Sequence, residues 1–164
     1  MGSGRWKGRS PDGRAVEVVI EDGIIRSVAE TGEQGDLPWI SAGWIDLQVN
    51  GIQGVNFNSK EAATQDIHFA VRYLHSRGVA RFLPTITSCS QEDALFRIGR
   101  IIKACREDPV TNYAVLGIHI EGPYISAEDG PRGAHPRDAI RNPSWDEYLE
   151  WEQAAEGRIR MVTL

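Results

Sequence analysis

The sequence predicts an α/β fold, specifically the first half of a (β/α)8 TIM-like barrel preceded by a small β unit. Three observations carry this reading. From Gly43 onward, strand-like and helix-like segments alternate. The strand-like segments have one apolar and one polar face, and their polar residues gather toward the carboxyl ends.

Trp44 to Gly51, Arg81 to Thr87, Val115 to Gly122 and Ile159 to Leu164 read as strands. Between the first two, Ile67, Ala70, Val71 and Leu74 recur at i, i+3, i+4 and i+7, and Gly78 supplies a stop, so a helix is expected there. Ser90 with Asp93, and Ser144 with Glu147, match the N-terminal capping pattern and open the next two helices. Repeated βα units imply parallel strands joined by right-handed crossovers, which leaves an open doubly wound sheet or a barrel.

The strand faces favour the barrel. Ile45, Leu47 and Val49 alternate with Asp46, Gln48 and Asn50, and Leu116, Ile118 and Ile120 alternate with Gly117, His119 and Glu121. Successive side chains on a strand point to opposite faces, so each strand has an apolar face to pack on helices and a polar face to line something else. Strands of a doubly wound sheet are covered on both faces and are apolar on both. Four strands make half of a barrel of about eight. The chain is therefore expected to be the N-terminal part of a longer protein, or to complete its sheet with another polypeptide or with a second copy as a homo-oligomer.

The preceding unit, residues 1–41, contains two β-branched runs, Val16 to Ile20 and Ile24 to Val28, separated by Glu21-Asp22-Gly23. An Asp-Gly turn between such runs signals a hairpin. A polar stretch from Thr31 to Asp36 leads to Pro38 and to the boundary before the barrel segment, residues 42–164.

Composition narrows the function classes. With 41% hydrophobic and 25% charged residues the chain is that of an ordinary globular protein, and a formal net charge of -5 argues against a nucleic acid partner. No apolar run approaches the ~20 residues that span a bilayer, so no membrane partner is expected and the address is read as cytoplasmic. Cys89 and Cys105 form neither a CxxC pair nor a zinc-ligand spacing with histidine. Cys105 shares a helical face with Leu95, Ile98 and Ile102 and is expected in the core, whereas Cys89 falls in a turn and is left open.

Three segments can carry chemistry. In Gly117-Ile118-His119-Ile120-Glu121-Gly122-Pro123-Tyr124, His119 and Glu121 share the polar face and Gly122-Pro123 ends the strand. A carboxylate at a barrel mouth suits a divalent metal, although a buried carboxylate paired with arginine fits the same pattern. Gln48 and Asn50 end the first strand on that face. As neutral amides they orient water or a polar substrate better than they ligate zinc, and they also satisfy each other equally well. Gly133-Ala134-His135-Pro136 lies in a long loop, Pro123 to Asn142, rich in Gly, Pro and charge, as substrate-contacting loops are. Thr85 and Thr87 read as interior hydroxyls, and His68 and His75 as surface residues of a helix.

Ala42-Gly43-Trp44-Ile45-Asp46-Leu47-Gln48-Val49-Asn50-Gly51, Phe82-Leu83-Pro84-Thr85, His119-Ile120-Glu121-Gly122-Pro123 and Gly133-Ala134-His135, in this order and spacing, resemble the N-acetylglucosamine-6-phosphate deacetylases of the amidohydrolase superfamily. The resemblance implies a distorted (β/α)8 barrel with a small β domain. It also implies one catalytic divalent metal, zinc by preference, ligated by Glu121, with Ala134 and His135 contacting the sugar. Gln48 and Asn50 stand where many superfamily members have His-x-His, and Gln48 is expected to hold the reacting water. The general acid/base aspartate and two histidine ligands of the family are expected beyond Leu164, and Asp46 comes too early to replace that aspartate. The stretch from Ser126 to Arg132 is slightly longer than the family pattern.

The expected function is removal of the acetyl group from N-acetylglucosamine 6-phosphate, an amino-sugar phosphate, with the isolated chain inactive. The rival readings are a related hydrolase of cyclic amides or N-acyl amino acids, and a non-catalytic half-barrel binding module.

Overall fold

Asp22 and Gly23 both have positive φ, 53° and 77°, as the two central residues of a tight hairpin turn of the I′ kind require. Around that turn, β2 (Ala15–Glu21) and β3 (Ile24–Glu30) pair antiparallel. A strand absent from the sequence reading, β1 (Gly4–Arg9), pairs with the other edge of β2. Its Gly-Arg-Trp-Lys-Gly-Arg composition carries almost no apolar alternation, so pairing rather than propensity makes it a strand. The segment at Pro38 and Ile40 hydrogen-bonds to Arg9 on β1, and Gly8 allows the approach, since a Cβ there would lie 2.7 Å from the Pro38 carbonyl.

This computed structural model describes residues 2–164, which divide into two units, residues 2–42 and 43–164. In the second unit a parallel sheet runs in the order β4 (Trp44–Val49), β7 (Val79–Thr87), β8 (Ile118–Glu121) and β9 (Ile159–Thr163). A short hairpin of β5 (Gly51–Ile52) and β6 (Val55–Asn56) follows β4. Helices α1 (Thr64–Ser76), α2 (Gln91–Glu107), α3 (Pro109–Ala114) and α4 (Trp145–Ala154) fill the connections.

Local chemistry sets the helix ends. Ser90 Oγ accepts from the Asp93 N–H at 3.1 Å to start α2, and Ser144 Oγ accepts from the Glu147 N–H at 3.3 Å to start α4. The short α3, unforeseen because six residues give too little periodicity, is capped by Asp108, which accepts from both the backbone N–H and the hydroxyl of Thr111. At the end of α1, Gly78 takes φ +83°.

One core lies between the sheet and the helices. Ile67, Ala70, Val71 and Leu74 of α1, Ile98, Ile101 and Cys105 of α2, and Phe82, Ile86, Ile118 and Ile120 of the sheet are all buried. Complete burial of such a side chain contributes ~1.5–3 kcal/mol. Both cysteines are free and buried.

Two expectations need correction. Ile45 and Leu47 do not pack on helices but remain 55% and 54% exposed. The reason is register: Ile45 pairs with Arg81 and Asp46 with the buried Phe82, so Ile45 and Leu47 stand on the face away from the helices, and the shift between Asp46 and Val49 returns only Val49 to the core. His68 and His75 are half-buried rather than surface residues, because each Nε2 reaches a backbone carbonyl, of Ala104 at 3.0 Å and of Ala80 at 3.1 Å.

Candidate active site at the carboxyl ends of the parallel strands

Parallel register aligns the polar faces into rows. Thr85 on β7 stands beside His119 on β8, and one step further Thr87, Glu121 and Thr163 stand side by side on β7, β8 and β9. The intervening positions, Ile86, Ile120 and Val162, belong to the apolar face. The last polar row therefore sits at the strands' carboxyl ends, where α/β folds place ligands.

Glu121 and Gln48 meet directly. Gln48 Nε2 donates to Glu121 Oε1 at 2.8 Å, across 73 residues of sequence, while Oε2 accepts no hydrogen bond among the described residues. Local chain irregularity aims the amide: the register of β4 against β7 shifts between Asp46 and Val49, and the Gln48 N–H bonds the Asp46 carboxylate at 3.0 Å. Such irregularities re-aim side chains beside functional sites.

His119 behaves differently from its neighbour two residues on. Its Nε2 lies 2.8 Å from Thr163 Oγ1 and its Nδ1 3.3 Å from Thr85 Oγ1. With both ring nitrogens occupied, His119 ties β7, β8 and β9 together and has none free for a metal. Burial pushes its pKa below the usual histidine value, against a smaller upward pull from the Glu121 charge.

Glu121 opens into a cleft of about 720 Å³, which Asn50, Thr87, Arg132, Ala134, His135 and Thr163 also line. Of the residues singled out from sequence, Asn50, Glu121, Ala134 and His135 thus share one cleft, and Gln48 touches it through Glu121. His135 Nδ1 is 2.8 Å from Ser88 Oγ. Gly122 makes room for that contact, with φ +72° and an imagined Cβ only 2.1 Å from Ser88 Oγ.

The long loop is anchored on α4. Arg141 holds the Glu147 carboxylate through Nε and Nη2 at 3.0 and 2.6 Å, and its Nη1 donates to the Cys89 carbonyl at 2.9 Å. Tyr124 Oη donates to Glu147 Oε2 at 2.6 Å. Burial, followed by the bond to Glu147, pushes the Tyr124 phenol up to about 12. Burial raises the Glu147 pKa, but hydrogen bonds from Arg141 and Tyr124 outweigh it and hold the carboxyl below its ordinary value.

No protein-family model matches the chain. It is 35% identical over 132 residues to the N-acetylglucosamine-6-phosphate deacetylase of Homo sapiens, an alignment covering 76% of this chain and 30% of the human one. The chain is a homologue of the N-acetylglucosamine-6-phosphate deacetylases. The chain spans about 30% of the length of such relatives. Among solved structures, the deacetylase of Thermotoga maritima superposes with a TM-score of 0.69 at 31% identity, over 85% of this chain and 36% of that one. The Mycobacterium smegmatis deacetylase, solved as a mutant in complex with N-acetyl-D-glucosamine-6-phosphate, has the same fold, with a TM-score of 0.76 at 24% identity over 92% of this chain and 39% of that one.

The donor set for a metal is partial. Among the described residues no three His, Cys, Asp or Glu side chains converge, and Glu121 is the one carboxylate lining the cleft. Its free Oε2 fits as a single anionic ligand, and a metal held there would need further ligands from other residues. Sequence reasoning missed Ser88 and the double anchoring of His119. The hydroxyls at 85, 87, 88 and 163 were the available signal, but only strand register shows which of them meet a histidine.

Proposed function

We propose that this chain supplies part of the active site of a metal-dependent amidohydrolase that removes the acetyl group from N-acetylglucosamine 6-phosphate. The observation that carries the reading is Glu121, fixed by Gln48 at 2.8 Å with its other oxygen free, in a cleft that also holds Asn50 and His135. Its homology to the deacetylases supports the substrate class. The same reading makes the four parallel strands, in sequential order with helices on one face, the first half of a (β/α)8 barrel.

Glu121 would give one ligand to a single divalent ion, zinc by preference. When bound, that ion supplies Lewis-acid activation of water and of the amide carbonyl. Gln48 keeps Glu121 in one rotamer, as partners of metal-binding carboxylates do, and its amide carbonyl remains an acceptor for water. Asn50 and His135 offer hydrogen bonds to the sugar. Expelling the amine requires a proton donor, and no second carboxylate lines the cleft among the described residues, so the general acid lies elsewhere in the complete enzyme. A cytoplasmic address belongs to this reading.

The test has two arms. The 164-residue chain alone should not release acetate from N-acetylglucosamine 6-phosphate. In a protein carrying the complete ligand set, Glu121→Gln should lose metal and turnover together, and Gln48→Ala should weaken metal retention ~10–100-fold. A Glu121→Gln protein with full metal content and full rate would remove Glu121 from the site. Turnover of N-acyl amino acids with none of the sugar phosphate would sink the substrate assignment.

A further inference from the structure

We propose that Ser88 is a positioning residue that fixes the tautomer of His135, so that the ring presents an N–H at Nε2 to the cleft. Ser88 follows β7 directly and is 4% exposed. Its Oγ lies 2.8 Å from His135 Nδ1 and has no other hydrogen-bond partner among the described residues.

Two proton arrangements satisfy that distance, and they differ in what they leave over. If Nδ1 carried the proton and Ser88 accepted it, the buried hydroxyl hydrogen would have no acceptor, and an unsatisfied buried donor is the costly case. If Ser88 donates to Nδ1, its hydrogen is used and only a lone pair is left. The imidazole proton then sits on Nε2, which makes no protein hydrogen bond among the described residues, on a ring that lines the cleft.

The surroundings keep this pair in place. Arg132 Nη1 donates to the His135 carbonyl at 2.6 Å and Arg132 Nη2 to Asp129 at 2.6 Å, which holds the backbone of the residue. Gly122 leaves the space that Ser88 Oγ fills. Ser88 thus sets an acceptor-seeking N–H toward a carbonyl, hydroxyl or phosphate oxygen of the ligand. The role of that N–H rests on the reading of His135 as a substrate-facing group; the tautomer does not.

The experiment is nitrogen NMR of the 15N-histidine-labelled chain above pH 8, well above the ordinary histidine pKa of about 6.5. His135 should show a single Nε2-protonated tautomer in the wild type and in Ser88→Thr, and an averaged, mixed pattern in Ser88→Ala. His119, held by Thr85 and Thr163, serves as the internal control for folding and should not change. An Nδ1-protonated or averaged His135 in the wild type overturns the proposal. So does a Ser88→Ala chain with the His119 pattern intact and His135 unchanged. Should Ser88→Ala lose the His119 pattern through unfolding, the wild type and Ser88→Thr decide. Adding N-acetylglucosamine 6-phosphate to a protein carrying the complete ligand set separates the two claims: an unmoved Nε2 in a fixed tautomer sinks the substrate reading alone, and a moved ring protonated on Nδ1 sinks the positioning role alone.

Discussion

Strands β4 and β8 carry the same alternation of apolar and polar residues, yet they end in opposite circumstances. Ile118 and Ile120 of β8 are 0% and 2% exposed, whereas Ile45 and Leu47 of β4 are more than half exposed. Their carboxyl ends still meet on the polar side, where Gln48 of one strand bonds Glu121 of the other. Alternation alone therefore does not fix which way a side chain faces, because the register shift in β4 leaves Ile45 and Leu47 on the face opposite the one that Val49 and Phe82 share. Val49, beyond the shift on the same edge strand, is 6% exposed, so register rather than edge position decides which residues of β4 are covered.

The largest expected effect breaks the comparison if it fails. Ile120→Ala should destabilise the chain by ~2–5 kcal/mol in urea denaturation, while Leu47→Ala should stay within about 0.5 kcal/mol, as surface substitutions do. Equal costs would mean that β4 is covered in solution. Gly122→Ala, at the end of β8, should cost ~1–3 kcal/mol, from the left-handed backbone and the crowding of Ser88. Ser90→Ala should cost about 1 kcal/mol through the lost cap of α2, one of the helices that cover β7.

The smallest effect sharpens the picture of the loop that follows β8. The folded Tyr124 phenol titrates near 12 against an ordinary 10.0. The fold favours its neutral form, so its contribution is complete below pH 10 and is lost as pH rises toward 12. Tyr124→Phe should flatten the alkaline fall in stability, measured by thermal melting across that range. For Glu147 the sign reverses. Its carboxyl is held below the ordinary value, so the clamp to Arg141 persists at neutral pH and weakens only as pH falls through the lowered pKa.

How far the sequence could be read follows from the same distinction. The Asp22-Gly23 turn, the caps Ser90 and Ser144, and the helical face of Ile67 to Leu74 depend on near neighbours in the chain, and the structure has each where local chemistry puts it. Gln48, Asn50 and Glu121 are legible because polar groups at the ends of alternating strands have few other uses, and Ala134 and His135 because they lie in a Gly- and Pro-rich loop that resembles the family's substrate-contacting loop. What escaped depends on partners far away: β1 is a strand only because β2 lies beside it, and His68 and His75 are half-buried because distant carbonyls receive them. Ser88 was invisible for the same reason, as its partner His135 stands 47 residues away.

The five tryptophans are unevenly placed. Trp39, Trp44 and Trp145 are each 70% exposed and Trp6 is 45% exposed, but Trp151 is fully buried, stacked on Tyr124 at 5.4 Å with its indole N–H on Gln91. The blue edge of the emission spectrum therefore belongs to a single indole seated behind the loop that carries His135. A red shift confined to that edge would signal the loop and α4 parting company while the rest of the molecule stays dark to the change.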